Sequence, residues 1–465
     1  MRKLLNLSVS MLVLAGLAGC TVGPDYKGPQ GAAVVSPPAS FARASGTKAQ
    51  APQLAKWWTA LGDPVLDGLE AKALAANPNL GTALARVQQA RAGLRLDKTN
   101  DLPKVGAMGA GLIADLPGNQ LGGSLNYYNA ALDAQWEIDL FGGQRRKVEA
   151  SVANAQAAEA KLADAQVSLT AEVAQTYINL RDRQQRLALG QQLLEVSQQA
   201  LTLTKARLAQ GVGTQSDAER SARAVEDAAA ALLPLQAERD AYLNALAVLL
   251  GEAPGALDAS LSAPKAIPLP PAELAVGDPA SLIQRRPDLR AAERQLAAST
   301  AKVGVADAAR FPKLKLTGFL GLGGSRLEDI FDPSSMALLA APQLSWNFLD
   351  FGGNSARLAQ AKAARDEASE QYRGAVLQAL RDAEDSLARY GAARAQAASK
   401  GRSAASATQS AQLASQRFAA GTISRLALLD AERERLTAQQ ASVQAVANMS
   451  AQYVTLQKSL GLGWD

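Results

Sequence analysis

The sequence predicts a mixed α/β chain made of two copies of one design, each a long helical hairpin carrying two strands. Three observations lead there. First, landmarks recur in order at a near-constant offset. Trp136-Glu137-Ile138-Asp139-Leu140-Phe141-Gly142-Gly143 returns as Trp346-Asn347-Phe348-Leu349-Asp350-Phe351-Gly352-Gly353, 210 residues on. Pro78-Asn79-Leu80 matches Pro287-Asp288-Leu289, and Leu102-Pro103-Lys104 matches Phe311-Pro312-Lys313, both at 209. Arg207 and Gly211 match Arg417 and Gly421 at 210, as do Leu250-Gly251 and Leu460-Gly461. A fixed period marks a repeated structural unit. Second, no proline occurs from 144 to 233 or from 343 to the C-terminal end. Third, short segments next to the glycine pairs alternate apolar and polar residues, the period of a strand.

Composition agrees and narrows the chemistry. The chain has 465 residues, 48% hydrophobic but only 5% aromatic, so alanine supplies much of the apolar count and favours close-packed helices. There is no histidine and one cysteine. That excludes a histidine base, a Cys/His zinc site, a His-containing triad and an intrachain disulfide. The reading is therefore not an enzyme, with no cofactor and no metal. The net charge of +5 comes from 48 basic and 43 acidic residues. They are interleaved, and nothing resembles a nucleic-acid stripe.

In chain order, Arg2 and Lys3 precede an apolar stretch from Leu4 to Leu17, followed by Leu17-Ala18-Gly19-Cys20. This is the form of an export signal, and it resembles the bacterial lipoprotein signal. That resemblance implies cleavage after residue 19 and a covalent lipid on Cys20; Thr21, with no aspartate after the cysteine, fits delivery to the outer membrane. Residues 20–55, rich in Pro, Gly, Ala and Ser, read as an acylated arm. Trp57-Trp58 is expected to open the packed body.

The first repeat is expected over 56–260 and the second over 280–461. A Pro-rich linker (261–279) joins them, and 462–465 form a short tail. Each repeat opens with a helix, near 66–98 and near 280–309. Two strands follow. Leu132, Ala134, Trp136, Ile138 and Leu140 alternate against Asp133, Gln135, Glu137 and Asp139. Leu314, Leu316, Leu320 and Leu322 alternate against Lys313, Lys315, Thr317 and Phe319, and Leu344, Trp346 and Phe348 against Gln343, Ser345 and Asn347. Barrel strands in a bilayer and a half-buried soluble sheet both give this pattern. The glycine pairs then open helices near 144–209 and 354–419. Sixty-six residues rise roughly 99 Å, too long for an ordinary globular domain. Val173, Leu180, Leu187, Leu194, Leu201 and Leu208 stand seven apart, a coiled-coil seam. The second long helix is richer in alanine at the matching places. Gly211-Val212-Gly213-Thr214 and Gly421-Thr422-Ile423-Ser424 break the two helices, with Ser216 a candidate cap for the first return helix. Those return helices should end near 250 and 460, and Pro234 can kink the first. Four strands cannot close a barrel, so either the sheet is soluble or several chains share one.

At this point the chain resembles the outer-membrane efflux protein family of the TolC/OprM type, in its lipoprotein, NodT-like branch. The resemblance rests on Cys20-Thr21-Val22-Gly23-Pro24-Asp25-Tyr26, Trp57-Trp58 with Gly62-Asp63-Pro64, Asn77-Pro78-Asn79-Leu80, and the Trp136 to Gly143 run. It continues through Arg286-Pro287-Asp288-Leu289-Arg290-Ala291-Ala292-Glu293, Phe311-Pro312, Arg417-Phe418-Ala419-Ala420-Gly421 and Leu429-Asp430-Ala431. It implies a homotrimer: a 12-stranded outer-membrane β-barrel continuous with a 12-helix periplasmic α-barrel. It further implies a passive duct working with a periplasmic adaptor and an inner-membrane pump of the resistance-nodulation-division type. The alternative reading is a lipid-anchored periplasmic coiled-coil scaffold.

For a duct the working residues set aperture, charge and docking. Leu426 and Asp430, one turn apart beyond the second tip, would form an apolar and an acidic ring under threefold symmetry, and the resemblance puts the family constriction there. Arg417 and Phe418 precede that tip; the family pattern often has tyrosine where Phe418 stands. Arg207 is expected to pair near the first tip with Asp217. Residues 211–214 and 421–424, with Val212 and Ile423 exposed, are the candidate adaptor-docking tips. Arg286, Asp288 and Arg290 read as structural.

Overall fold

A computed structural model describes residues 21–31, 34–44, 47–48, 55–116 and 123–464. The signal region 1–19 and Cys20 lie outside the described residues. In chain order the elements are β1 (Thr47–Lys48), α1 (Pro64–Ala76), α2 (Pro78–Thr99), β2 (Lys104–Leu116), β3 (Gly123–Ile138), α3 (Gly143–Ala209), α4 (Gln215–Leu249) and α5 (Asp258–Leu261). Then come β4 (Leu274–Ala275), α6 (Pro279–Arg285), α7 (Pro287–Ala308), β5 (Lys313–Gly324), β6 (Met336–Ser345), α8 (Gly353–Ala419) and α9 (Arg425–Ser459). The order helix–helix–strand–strand–long helix–return helix occurs twice, so the internal repeat of the sequence is also a repeat of elements.

The expected single opening helix is two helices in each repeat. Proline crowds the residue before it out of the helical region. Asn77 (φ −65°, ψ 124°) and Arg286 (φ −63°, ψ 122°) obey that rule, ending α1 and α6. Asn77 also restarts the chain: its Oδ1 accepts from the N–H groups of Asn79 (2.9 Å) and Leu80 (3.2 Å), capping α2. Arg286 holds Asp288 through Nε (3.0 Å) and Nη2 (2.7 Å) and donates from Nη1 to the carbonyl of Ser459 (2.8 Å). It is thus a tie between the start of α7 and the end of α9.

Two compact units divide the chain. One gathers the arm up to Val35 with Ala85–Glu159 and Arg290–Gly374. Its centre is a four-stranded antiparallel sheet in the order β2-β3-β5-β6. The register aligns the alternating residues. Ala134 faces Val105 and Gly318, Leu132 faces Ala107 and Leu320, and Leu338 faces Leu320. One face is therefore apolar across all four strands, and much of it is uncovered: Val105, Ile113, Leu132, Leu320, Leu338 and Leu344 are exposed. The opposite face carries Asp133, Gln135, Glu137, Lys313, Lys315 and Thr317, with an ion pair between Lys313 and Glu137 (3.5 Å).

The strand expected through Phe348 stops at Ser345. Ser345 pairs with Lys313, and the residue just before that partner is Pro312, which has no N–H to continue the ladder. The Trp346 ring still reaches across, its Nε1 donating to the carbonyl of Arg310 (3.0 Å). Trp136 does the same in the first repeat, donating to Asp101 (2.9 Å).

The arm is clamped to this unit by Arg146, whose side chain is only 6% exposed. Its guanidinium donates to the carbonyls of Val22 (3.2 Å) and Gly23 (3.0 Å) and to Asp25 (2.7 Å) and Glu149 (2.8 Å). The Val22 N–H closes the dock on the Phe141 carbonyl (3.1 Å). The guanidinium holds the Asp25 carboxyl below the usual carboxylate range. Arg146→Ala is expected to release the arm. Limited proteolysis should then cut within 21–44 faster than in wild type while α3 stays resistant, and equal cutting rates would contradict the clamp.

The second unit takes in Ser36–Leu84, Ala160–Leu289 and residues from Ala375 onward. Trp57 and Trp58 are buried, edge-to-face at 6.0 Å, with Trp57 5.9 Å from Tyr453. They are core residues, as expected. Val173, Leu180 and Leu187 of the heptad seam are buried, and Leu187 and Leu194 pack with Leu232 and Leu235 of α4. In α8 the same stations hold Ala383, Tyr390, Ala397, Ala404 and Ala411, all buried, so the second seam is thinner. Pro234 lies within α4 without ending it. A later stretch of the arm is strapped down by Glu384, whose carboxylate accepts from the N–H groups of Ala42 (2.7 Å) and Arg43 (3.1 Å).

Candidate functional site

The candidate site is the pair of helical tips in the second unit, with the start of α9 above the second tip. Each long helix must stop within one turn and reverse. The end of α3 leaves carbonyls without partners, and a residue at positive φ lets the chain fold back onto them. Gly211 (φ +73°) and Gly421 (φ +72°) take that conformation. Gly211 N–H then bonds to Leu208 (2.9 Å) and Val212 N–H to Arg207 (3.0 Å). The second tip repeats it: Gly421 to Phe418 (2.9 Å) and Thr422 to Arg417 (2.9 Å), with the Thr422 hydroxyl adding a third bond to the Arg417 carbonyl (2.9 Å).

The return helices are capped by Thr214 and Ser424, whose hydroxyls accept from Asp217 (3.1 Å) and Ala427 (3.2 Å). Ser216 is not the cap; it lies inside the first turn of α4, whereas Thr214 is extended and aims its oxygen back at the free amides. The Thr214 hydroxyl also donates to the Asp217 carboxylate (2.7 Å). That bond, aided by the charges of Arg220 and Arg207, holds the Asp217 carboxyl below its usual range. The salt bridge of Asp217 is with Arg220 (3.3 Å), three residues on along α4, rather than with Arg207 across the turn. Val212 is exposed, Gly213 and Ile423 half-exposed.

Leu426 is half-buried and Asp430 exposed, and both open on one cavity of about 390 Å³. The same cavity is lined by Arg207, Gly213 and Asp217 of the first hairpin and by Leu429 and Arg433 of α9. Of the candidate site residues, Arg207, Gly213, Asp217, Leu426 and Asp430 thus meet, whereas Gly211, Val212, Thr214, Arg417, Phe418 and residues 421–424 do not line it. Phe418 instead packs under the guanidinium of Arg425, 5.5 Å from its ring centre. Asp430 pairs with Arg433 (3.1 Å). Sequence reasoning missed Arg433 and Arg220. The signal was present: each follows an acid by three residues on a helix, the spacing of neighbours on one face.

Among the described residues, no group of three or more His, Cys, Asp or Glu could hold a metal ion, and no helix is long and apolar enough to cross a membrane. The long hairpins, the small apolar-faced sheet and the paired tips define a mixed α/β fold dominated by long helices. A family model for the outer membrane efflux protein matches residues 69–252 and 279–462. This chain belongs to that family. It is 31% identical to the outer membrane protein OprJ of Pseudomonas aeruginosa, covering 98% of this chain and 95% of the relative. It is 28% identical to nodulation protein T of Rhizobium leguminosarum bv. trifolii, covering 97% and 96%. Among solved structures, the outer-membrane channel OprN superimposes with a TM-score of 0.86 at 36% identity, covering 96% of this chain and all of that one. The open state of the MtrE outer membrane channel of Neisseria gonorrhoeae gives 0.82 at 28% identity, covering 96% and 98%.

Proposed function

We propose that this protein is a passive outer-membrane duct that carries drugs or other small solutes from an inner-membrane pump and a periplasmic adaptor to the cell exterior. The observation that carries this reading is the sheet: four strands, one face apolar and uncovered, two edges free. Water penalises that face, and lipid penalises those edges by several kcal/mol per unpaired backbone group. Both penalties vanish if three chains pool their strands into one 12-stranded barrel in the outer membrane, continued by twelve helices in the periplasm. The chain then works by shape and charge, with no bond chemistry. Native mass measurement in mild detergent should find three chains, and planar bilayers should show discrete conductance steps. A stable monomer that does not conduct would leave the scaffold reading standing.

Within this reading Cys20 is acylated and anchors the chain. Palmitate labelling should mark the wild type and spare Cys20→Ala; equal labelling would remove the anchor. Leu426 and Asp430 form the constriction, supported from the tip by Arg417 and Phe418. Residues 211–214 and 421–424 dock the adaptor. Val212→Asp combined with Ile423→Asp should weaken crosslinking to the adaptor severalfold while leaving the trimer intact, since each change puts a charge where an apolar contact is needed. Unchanged crosslinking would move the docking site elsewhere.

A further inference from the structure

At one end, the polar face of the four-stranded sheet carries more positive charge than its acids neutralise. A cavity of about 440 Å³ opens there, lined by Lys104 of β2, Gln135 and Glu137 of β3, Lys313 and Lys315 of β5 and Lys147 of α3. Asp139 is the other acid in its wall. Both acids are engaged. Glu137 pairs with Lys313 (3.5 Å). Asp139 accepts from the Arg145 N–H (2.9 Å), with the Arg145 guanidinium 3.8 Å away. Lys147 is held by Asp97 (2.9 Å), which lies outside the lining. That leaves Lys104 and Lys315, both exposed, in no ion pair among the described residues.

The register brings these two lysines to the same place. Lys104 stands opposite Gln135, and Gln135 opposite Thr317, two residues along β5 from Lys315. With strands about 4.8 Å apart and a rise of about 3.3 Å per residue, the two lysine backbones are roughly 12 Å apart. Two four-carbon side chains can close that gap from either side of Gln135. Glu137 faces Lys315 in the ladder, yet its carboxylate goes to Lys313. The repeat shows how the excess arises. Lys104 has Lys313 as its counterpart, whereas Glu137 and Asp139 have Asn347 and Leu349, and Lys315 stands where the first repeat has Gly106. The second repeat therefore keeps one lysine, adds another and drops both acids. Like charges gathered on one sheet face repel, and the fold holds them together all the same. The rest of the wall is apolar: Leu140, Val305 and Ala308 line it with Phe141, whose ring stacks on Phe311 at 4.7 Å between centres. All of these residues belong to the sheet unit.

We propose that this cavity is a binding subsite for organic anions. Lys104 and Lys315 take a carboxylate or sulfonate between them, the Gln135 amide donates to the same group, and the Phe141 end takes an apolar body. Its place beside the solute's route rests on the shared-barrel reading, in which the polar face of the sheet lines the lumen. An anionic solute then pauses at the lysines, held by charge at one end and by apolar contact at the other. A neutral solute of the same shape gains only the apolar contact.

A matched pair of probes tests it: 1-naphthoate and the neutral 1-naphthamide, dialysed to equilibrium against the full-length protein in mild detergent with a protein-free micelle blank. Naphthoate should bind more tightly than naphthamide. Lys104→Gln combined with Lys315→Gln should raise the naphthoate Kd roughly tenfold, as two exposed ion pairs warrant, and leave naphthamide unmoved. Lys104→Arg combined with Lys315→Arg keeps both charges and should keep the naphthoate preference. Raising salt to about 1 M should weaken naphthoate alone. Lys265→Gln, in the linker, should change neither probe. Equal binding of the two probes by the wild type, or unchanged naphthoate binding in the double glutamine variant, overturns the subsite. So does an equal loss in Lys265→Gln, which would mark a general charge effect. Native mass and bilayer conductance on the same preparations keep the two readings apart. Conducting trimers without charge-dependent binding lose the subsite and keep the duct. Charge-dependent binding by a chain that neither trimerises nor conducts keeps the subsite and loses the duct. In conducting trimers, naphthoate should reduce the current of the wild type more than that of the double glutamine variant, and equal reduction would remove the subsite from the route.

Discussion

Leu426→Ala is expected to raise single-channel conductance, and Asp430→Ala to shift the preference at the proposed constriction from cations toward anions. Leu426 is half-buried on the cavity beyond the second tip, and Asp430 lies one turn above it, bound to Arg433. Three leucines facing a common axis exclude water at a narrow point; three alanines leave a wider, wetted one. Three carboxylates facing that axis would attract cations and repel anions. Arg433 opposes part of that. With Asp430 removed, Arg433 loses its salt-bridge partner, and preference should shift toward anions rather than simply fade. The shift should shrink as salt is added, since screening shortens to about 3 Å at 1 M. In cells, Leu426→Ala should admit large antibiotics that an intact outer membrane excludes. Assembled trimers with unchanged conductance and selectivity in both variants would place the constriction elsewhere.

Leu320→Arg is expected to abolish assembly, whereas Thr317→Arg is expected to be tolerated. The two residues are three apart on β5 and point to opposite faces of the sheet. Leu320 faces Leu132 and Leu338 on the apolar side. Arginine at the bilayer midplane of a barrel costs about 2–4 kcal/mol, and three chains triple it to roughly 6–12 kcal/mol. Thr317 shares its face with Gln135 and lies near Lys315 and Glu137, so a cation there joins a polar surface. Yield of trimer in washed outer membranes separates the two. Equal yields would mean that the apolar face does not meet lipid.

Most of the fold was legible because its signals are periodic. A seven-residue seam and a two-residue alternation survive without knowledge of partners, and proline-free runs set the helix bounds at 143–209 and 353–419 within a residue. What escaped depends on single neighbours. The breaks at Asn77 and Arg286 come from proline acting on the residue before it, a rule easily applied yet weaker than the helical pattern around it. The end of β6 depends on a missing donor across the ladder. Arg146 looked like any arginine at the start of a helix; its four bonds run largely to the arm, more than 120 residues away. Glu70 is more opaque still. It sits in a helix with alternating polar positions, yet both its oxygens are buried without a partner, and burial followed by the nearby charge of Asp67 pushes its carboxyl well above the usual range.

The clamp on the arm changes what a lipid at Cys20 can do. Thr21 is the only residue between Cys20 and Val22, whose N–H is bonded to the end of the sheet at Phe141. Consecutive Cα atoms are about 3.8 Å apart, so on the proposed acylation of Cys20 the lipid would be tethered within two residue lengths of the level where strand gives way to helix. An anchor held so short would work as a depth stop rather than a leash, fixing how far the sheet sinks into the bilayer.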